Sequence, residues 1–192
     1  MARRTVLLGA IAAVAIAGGW WLWSSSRRGS SGPTATTPLA QTTADARKIT
    51  ATLYFVSEDG MSLVGVQREV AFGETVLEQA KQIVTAQLAA GPAPLVSAIP
   101  PSTTLRAIYL TERGDAFVDL SADARTKHTG GALDEIFAVY AIVNALTTNL
   151  PAVKRVQILI EGKEVDTLAG HVDLRHPLQK NLKWVKTEKG DT

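Results

Sequence analysis

Residues 132–160 read ALDEIFAVYAIVNALTTNLPAVKRVQILI, and the fold turns on this stretch. Leu133, Ile136, Phe137, Tyr140 and Asn144 recur on one helical face. Val139, Ile142, Val143 and Leu146 widen the apolar stripe beyond what a surface helix carries. The spacing predicts a central helix over 132–149, stopped by Asn149-Leu150-Pro151. A β-branched run follows over 153–160 and reads as a strand, with a turn at Glu161-Gly162-Lys163.

Working upstream, 115–120 alternates Ala116, Val118 and Leu120 with Asp115, Phe117 and Asp119, and pairs with 104–111 as a hairpin across Glu112-Arg113-Gly114. Between this hairpin and the central helix, 121–131 is polar and turn-rich. Thr75-Val76-Leu77-Glu78 is a capping box, in which hydroxyl and carboxylate each satisfy a free amide at a helix start. Val76, Ala80, Ile83, Val84 and Leu88 continue that helix until Gly91-Pro92. Further back, 47–56 places Ile49, Ala51, Leu53 and Phe55 on one side, and 61–70 forms its hairpin partner after Glu58-Asp59-Gly60. Downstream, 168–174 is read as a last short strand. The order ββαββαβ predicts an α+β domain over 47–185, with a four- to five-stranded, mostly antiparallel sheet carrying two helices on one face.

Composition limits the chemistry. The chain has no Cys, which removes disulfides, zinc–thiolate sites, iron–sulfur clusters, a cysteine nucleophile and the thiol that anchors a bacterial lipoprotein. The basic excess is local. Of 20 Lys and Arg, four (Arg3, Arg4, Arg27 and Arg28) flank one apolar run, leaving 16 against 18 acidic residues. The remainder is slightly acidic and offers no general polyanion surface, so nucleic acid is excluded as a partner.

That apolar run is VLLGAIAAVAIAGGWWLW, 6–23, which lacks charge. As a helix it would span about 27 Å, close to the thickness of a bilayer core. Trp20, Trp21 and Trp23 cluster at its far end, where indoles favour the membrane interface. Cleavage after Ala17 would strand those indoles in water, so 1–23 reads as an uncleaved signal anchor. The short N-terminus is placed inside and the domain outside, giving a single-pass protein of the cytoplasmic membrane. Residues 24–46, rich in Ser, Thr, Gly and Pro, read as a disordered tether reaching roughly 25–30 Å. Residues 186–192 are a polar tail.

Asp119, Ser121 and His128 have the residue types of a nucleophilic triad, but no Gly-x-Ser-x-Gly elbow surrounds Ser121. Asp119 and Ser121 are better accounted for as hydrogen-bonding loop amides and capping a turn. His128, His171 and His176 with Asp173 lack a recognised ligand spacing. Asn144, inside an apolar helix, calls for a buried amide bonded to a neighbouring segment. Lys180, Lys183, Lys186 and Lys189 with Trp184 read as a solvated tail whose indole packs back on the domain. No catalytic, cofactor-binding or metal residues are assigned, no cofactor is expected, and the chain is not expected to be an enzyme.

Several segments taken together resemble the GerMN domain family of sporulation and germination proteins. They are Leu53-Tyr54-Phe55-Val56 with Asp59-Gly60, Val66-Gln67-Arg68-Glu69-Val70, Leu88-Ala89-Ala90-Gly91-Pro92, Ala98-Ile99-Pro100-Pro101-Ser102-Thr103, Phe117-Val118-Asp119-Leu120-Ser121, 139–146 and 153–163. The resemblance implies an α+β domain tethered in the bacterial envelope, akin to ring-building modules, with no catalytic residues to carry over. It points to a non-catalytic interaction and assembly module whose partner is a second copy or another envelope protein. The contact is expected at the helix face of Glu78, Lys81 and Gln82 or at a sheet edge. The alternative is a tethered binder of a small ligand or cell-wall glycan.

Overall fold

The computed structural model describes residues 47–186; the expected anchor at 1–23, the expected linker at 24–46 and the residues beyond Lys186, including Lys189, lie outside the described residues. Among the described residues no helix is long and apolar enough to cross a membrane.

Strands β1 (Lys48–Val56) and β2 (Leu63–Ala71) form an antiparallel hairpin in continuous register from Lys48↔Ala71 to Val56↔Leu63. Ala51, Leu53 and Phe55, all fully buried, supply its core-facing side. Helix α1 (Val76–Leu88) begins at the expected capping box. The Glu78 N–H donates to Thr75 Oγ1 and the Thr75 N–H to Glu78 Oε2, each at 3.1 Å. Gly73 is required before it, because a Cβ there would stand 2.3 Å from the Gln79 nitrogen.

Strands β3 (Leu105–Leu110) and β4 (Asp115–Leu120) form the second hairpin, antiparallel with a register shift between Leu105 and Ala107. A four-residue helix, α2 (Asp123–Thr126), lies within the polar segment after β4. Helix α3 (Ala132–Asn149) has eleven buried residues distributed around its axis, which makes it the centre of the domain. It packs on β1, α1 and β5 (Arg155–Ile160). Strand β5 runs parallel to β4 from Asp115↔Arg155 to Leu120↔Ile160. Its other edge is shared by two short strands, β6 (Lys163–Glu164) at Leu159 and Ile160 and β7 (Leu178–Gln179) at Arg155 and Val156.

The α+β class is as expected, and the sheet arrangement is not. The described residues form two sheets, of two and five strands, in place of one. The pair β4–β5 is parallel because α3 is a crossover, which returns the chain in the same direction. Both long helices touch strands of both sheets, so they do not share a single sheet face. Residues 168–174 form no strand; several of their amides turn towards a buried carboxylate, and the last strand is Leu178–Gln179 instead. One hydrophobic core nevertheless unites the elements, with Phe55, Leu63, Ile83, Leu120, Phe137, Ile142, Ile158 and Leu174 nearly inaccessible.

Candidate functional site

The buried and half-buried polar side chains of the helices turn inward, onto the domain's own backbone. Strand β1 has one edge paired with β2, and its other edge faces the helices. There the Tyr54 N–H donates to Gln87 Oε1 at 2.8 Å, and Gln87 Nε2 donates to the Tyr54 carbonyl at 2.7 Å. Two residues earlier the Thr52 N–H donates to Asn149 Oδ1, and Asn149 Nδ2 donates to the Thr52 carbonyl, both at 2.8 Å. Two residues later Val56 exchanges backbone hydrogen bonds with Val96. Each side-chain amide thus imitates the peptide of a neighbouring strand, and the edge is closed from Thr52 to Val56 without one.

Asn144, fully buried on α3, makes the same kind of clamp. Its Nδ2 donates to the Asn181 carbonyl at 2.8 Å, and the Asn181 N–H donates to its Oδ1 at 2.9 Å. This holds the C-terminal strap, 178–186, against the central helix. The strap pairs with β5 through β7, and beyond Asn181 it reaches the other sheet. There the Leu63 N–H donates to the Trp184 carbonyl at 2.8 Å and the Lys186 N–H to the Leu63 carbonyl at 2.7 Å, a parallel bridge. Trp184 packs against the core.

Glu135 is fully buried, and its carboxylate organises the loop that follows β6. The Leu168 N–H donates to Oε1 at 2.8 Å, the His171 N–H to Oε2 at 2.7 Å, and His171 Nδ1 lies 3.0 Å from Oε2. Burial alone would raise the carboxyl pKa. The amides of Ala169, His171, Leu168 and Val172 outweigh it, and the group is held below the ordinary carboxylate range.

The residues singled out from sequence are not brought together as reactive groups. Asp119 accepts from the Gly162 N–H at 2.7 Å and lies 3.3 Å from Arg106 Nη1. Ser121 Oγ accepts from the Thr104 N–H at 3.0 Å, and His128 Nδ1 accepts from the Gly130 N–H at 3.1 Å. Asp173 is held by Arg175, whose side-chain hydrogen bonds keep the carboxyl well below its usual range. Among the described residues no group of three or more His, Asp or Glu is placed to hold a metal. Gln79, Gln87, Glu135 and Asn149 escaped sequence reasoning. Gln87 carried a signal, since it falls at the 3–4 spacing of Ala80, Ile83 and Val84 on the buried stripe.

Outward, the domain presents charged and polar side chains, Glu69, Glu78, Lys81 and Gln82 among them, with scattered apolar ones such as Met61, Val96 and Tyr109. A shallow hollow of about 360 Å³ lies between the end of α1 (Thr85, Leu88, Ala89) and the start of β3 (Thr103, Thr104, Leu105). On β2 the alternation that turns Thr52, Tyr54 and Val56 away from the hairpin turns their partners Gln67, Gly65 and Leu63 away on the opposite side. Leu63 meets the strap, while Gly65, Gln67 and Glu69 are exposed, and among the described residues their outward amides and carbonyls have no backbone partner.

The family described as Germane, sporulation and spore germination, matches residues 52–166, more than half of the chain. The chain belongs to this family. No curated protein matches it. Among solved structures, the tandem GerMN domains of the sporulation protein GerM from Bacillus subtilis align with a TM-score of 0.55 and 20% identity, covering 71% of this chain and 46% of that one. The first GerMN domain of the same protein aligns at 0.53 and 19%, covering 68% and 97%. A candidate lipoprotein of Clostridium perfringens aligns at 0.51 and 22%, covering 69% and 88%. The resemblance to GerMN domains read from the sequence is therefore real, and it extends to the fold.

Proposed function

We propose that this Germane-family chain is a non-catalytic, membrane-tethered interaction module on the extracytoplasmic side of the bacterial envelope. The observation that carries the reading is the inward commitment of its polar side chains. Gln87, Glu135, Asn144 and Asn149 are occupied by backbone groups, and Asp119, Ser121 and His128 each accept from a different backbone amide, those of Gly162, Thr104 and Gly130. The outward assets are surfaces: the helix face of Glu78, Lys81 and Gln82, and a sheet edge. The family's link to sporulation and germination supports an envelope setting, and the uncharged run at 6–23 supports an anchor. Tethering confines domains to two dimensions and raises their effective concentration, so a contact too weak for dilute solution acts at the membrane.

The test is fractionation of the native protein with N-terminal sequencing, followed by site-directed photocrosslinking across both surfaces. The protein is expected in membranes with residues 1–23 retained, and crosslinked to itself or one fixed partner. A soluble protein beginning at Gly18 overturns the anchor, and monomer alone at every crosslinking position overturns assembly. The glycan-binding reading then takes precedence, although the polar hollow of Asp166, Thr167, Gly170, His171, Asp173 and Arg175 offers no aromatic wall for a sugar.

A further inference from the structure

We infer that the outer edge of β2 is a self-association site, at which two copies join antiparallel about a two-fold axis at Gln67. The inference rests on the assembly reading above and names its partner and its register.

The two edges of the β1–β2 hairpin are treated differently. The β1 edge is closed by Asn149, Gln87 and Val96 at three successive outward positions. The β2 edge is closed at its two ends. Leu63 is taken by the strap, and the Ala71 carbonyl accepts from Gln79 Nε2 at 3.1 Å. Between them Gly65, Gln67 and Glu69 present outward main-chain groups that are exposed and, among the described residues, unpartnered. On β1 only the exposed outward positions Lys48 and Thr50, at the strand's start, have no partner among the described residues, whereas on β2 the open stretch 65–69 is the middle of the strand and long enough to be a template for another one.

Self-complementarity identifies the strand. Outward residues pair with outward residues in an antiparallel ladder. A register centred on Gln67 sets Gln67 opposite its copy and Gly65 opposite Glu69, which uses every open group and stops at the strap. In this register Glu69 faces a residue without a side chain. It therefore keeps its 3.0 Å ion pair with Lys48 of its own hairpin and meets no like charge. Arg68, whose guanidinium is held at 3.0 Å by the Ala90 carbonyl, lies opposite Val66 of the other copy. Centring the axis one residue later would set Arg68 against its own copy. Centring it one residue earlier would drive Glu69 into the strap at Leu63. The contact is isologous and closes at two copies.

The chain lacks Cys, so single cysteines report the register in the full-length protein in its membranes. Under mild oxidation Gln67→Cys is expected to give a disulfide-linked dimer, and Gly65→Cys mixed with Glu69→Cys a hetero-crosslink. Glu69→Cys alone should give none, because the two copies of that position stand about 13 Å apart along the strands, four residues at roughly 3.3 Å each. Adding Glu69→Pro to Gln67→Cys removes one outward N–H and no β1–β2 bond, and should abolish the dimer while near-ultraviolet circular dichroism stays native. Equal crosslinking at 69 and 67 overturns the register. A Gln67→Cys monomer alongside a Lys81→Cys dimer overturns the edge and leaves assembly standing on α1. Monomer at both overturns this inference and the assembly reading together. If the 65, 67 and 69 amides exchange slowly in the monomer, and truncation after Lys186 speeds them, residues 187–192 are the occupant and the inference fails.

Discussion

Gln87, Asn144 and Asn149 each offer a main-chain peptide the donor and acceptor that another peptide would offer. The cost of removing such a group is set by what it leaves behind. Gln87→Leu fits the apolar stripe of α1 but leaves the buried Tyr54 N–H and carbonyl without partners. A loss of roughly 2–4 kcal/mol is expected in urea unfolding; a loss below about 0.5 kcal/mol would mean that water reaches the edge. Asn144→Leu should cost roughly 1–3 kcal/mol by the same logic. Glu135 adds a pH dependence. Its folded pKa lies below the unfolded value, so its contribution is complete above about pH 4.3 and is lost as pH falls through the folded value. Glu135→Gln sets an amide donor among the loop N–H groups. It should cost about 2–3 kcal/mol at neutral pH and flatten the acid limb of the melting temperature against pH. An unchanged acid limb would assign that slope to other carboxylates.

At the scale of elements, what the sequence states locally is what could be read from it. The hairpins, the two long helices and the capping box at Thr75 follow from period and turn chemistry within a few residues of each other. Thr75→Ala should therefore cost about 1 kcal/mol, measured by thermal melting, with α1 still formed. The partition into two sheets was not legible, because it depends on which distant edges meet. One available signal is the order β4, an 18-residue helix, then the β-branched β5, a βαβ unit that demands a parallel pair. The β1 edge was harder. Gln87 and Asn149 read as polar residues near helix ends, and only their placement in space shows that they occupy the seat of a strand. Residues 168–174 misled for a related reason. Their apolar members are buried, as in a strand, but several of their amides serve Glu135, which sits 33 residues before Leu168. Of the polar residues inspected at the sequence level, Asn144 was identified as a buried clamp because an amide within an apolar face has few alternatives.

For the whole molecule, the strap is the seam between the sheets, touching β5 at Val156, α3 at Asn144 and β2 at Leu63. Ending the chain after Pro177 removes all three contacts, and should destabilise the domain more than Asn144→Leu does while leaving the β1–β2 hairpin protected in hydrogen exchange. Equal destabilisation would reduce the strap to a single clamp. The uninterrupted register from Lys48↔Ala71 to Val56↔Leu63 has a mechanical consequence. Arg47 leads directly into β1, so tension applied from the N-terminal side pulls that strand lengthwise against β2. Load applied in this direction is carried by the rungs together, as in shear. A pull on Lys186 instead opens the bridge at Leu63 first and then peels the strap bond by bond. Force spectroscopy with the domain held at β2 should give a higher rupture force through an N-terminal handle than through a C-terminal one, and equal forces would refute this. A domain loaded through its N-terminus therefore meets the force in its stiffer direction and leaves the strap out of the load path.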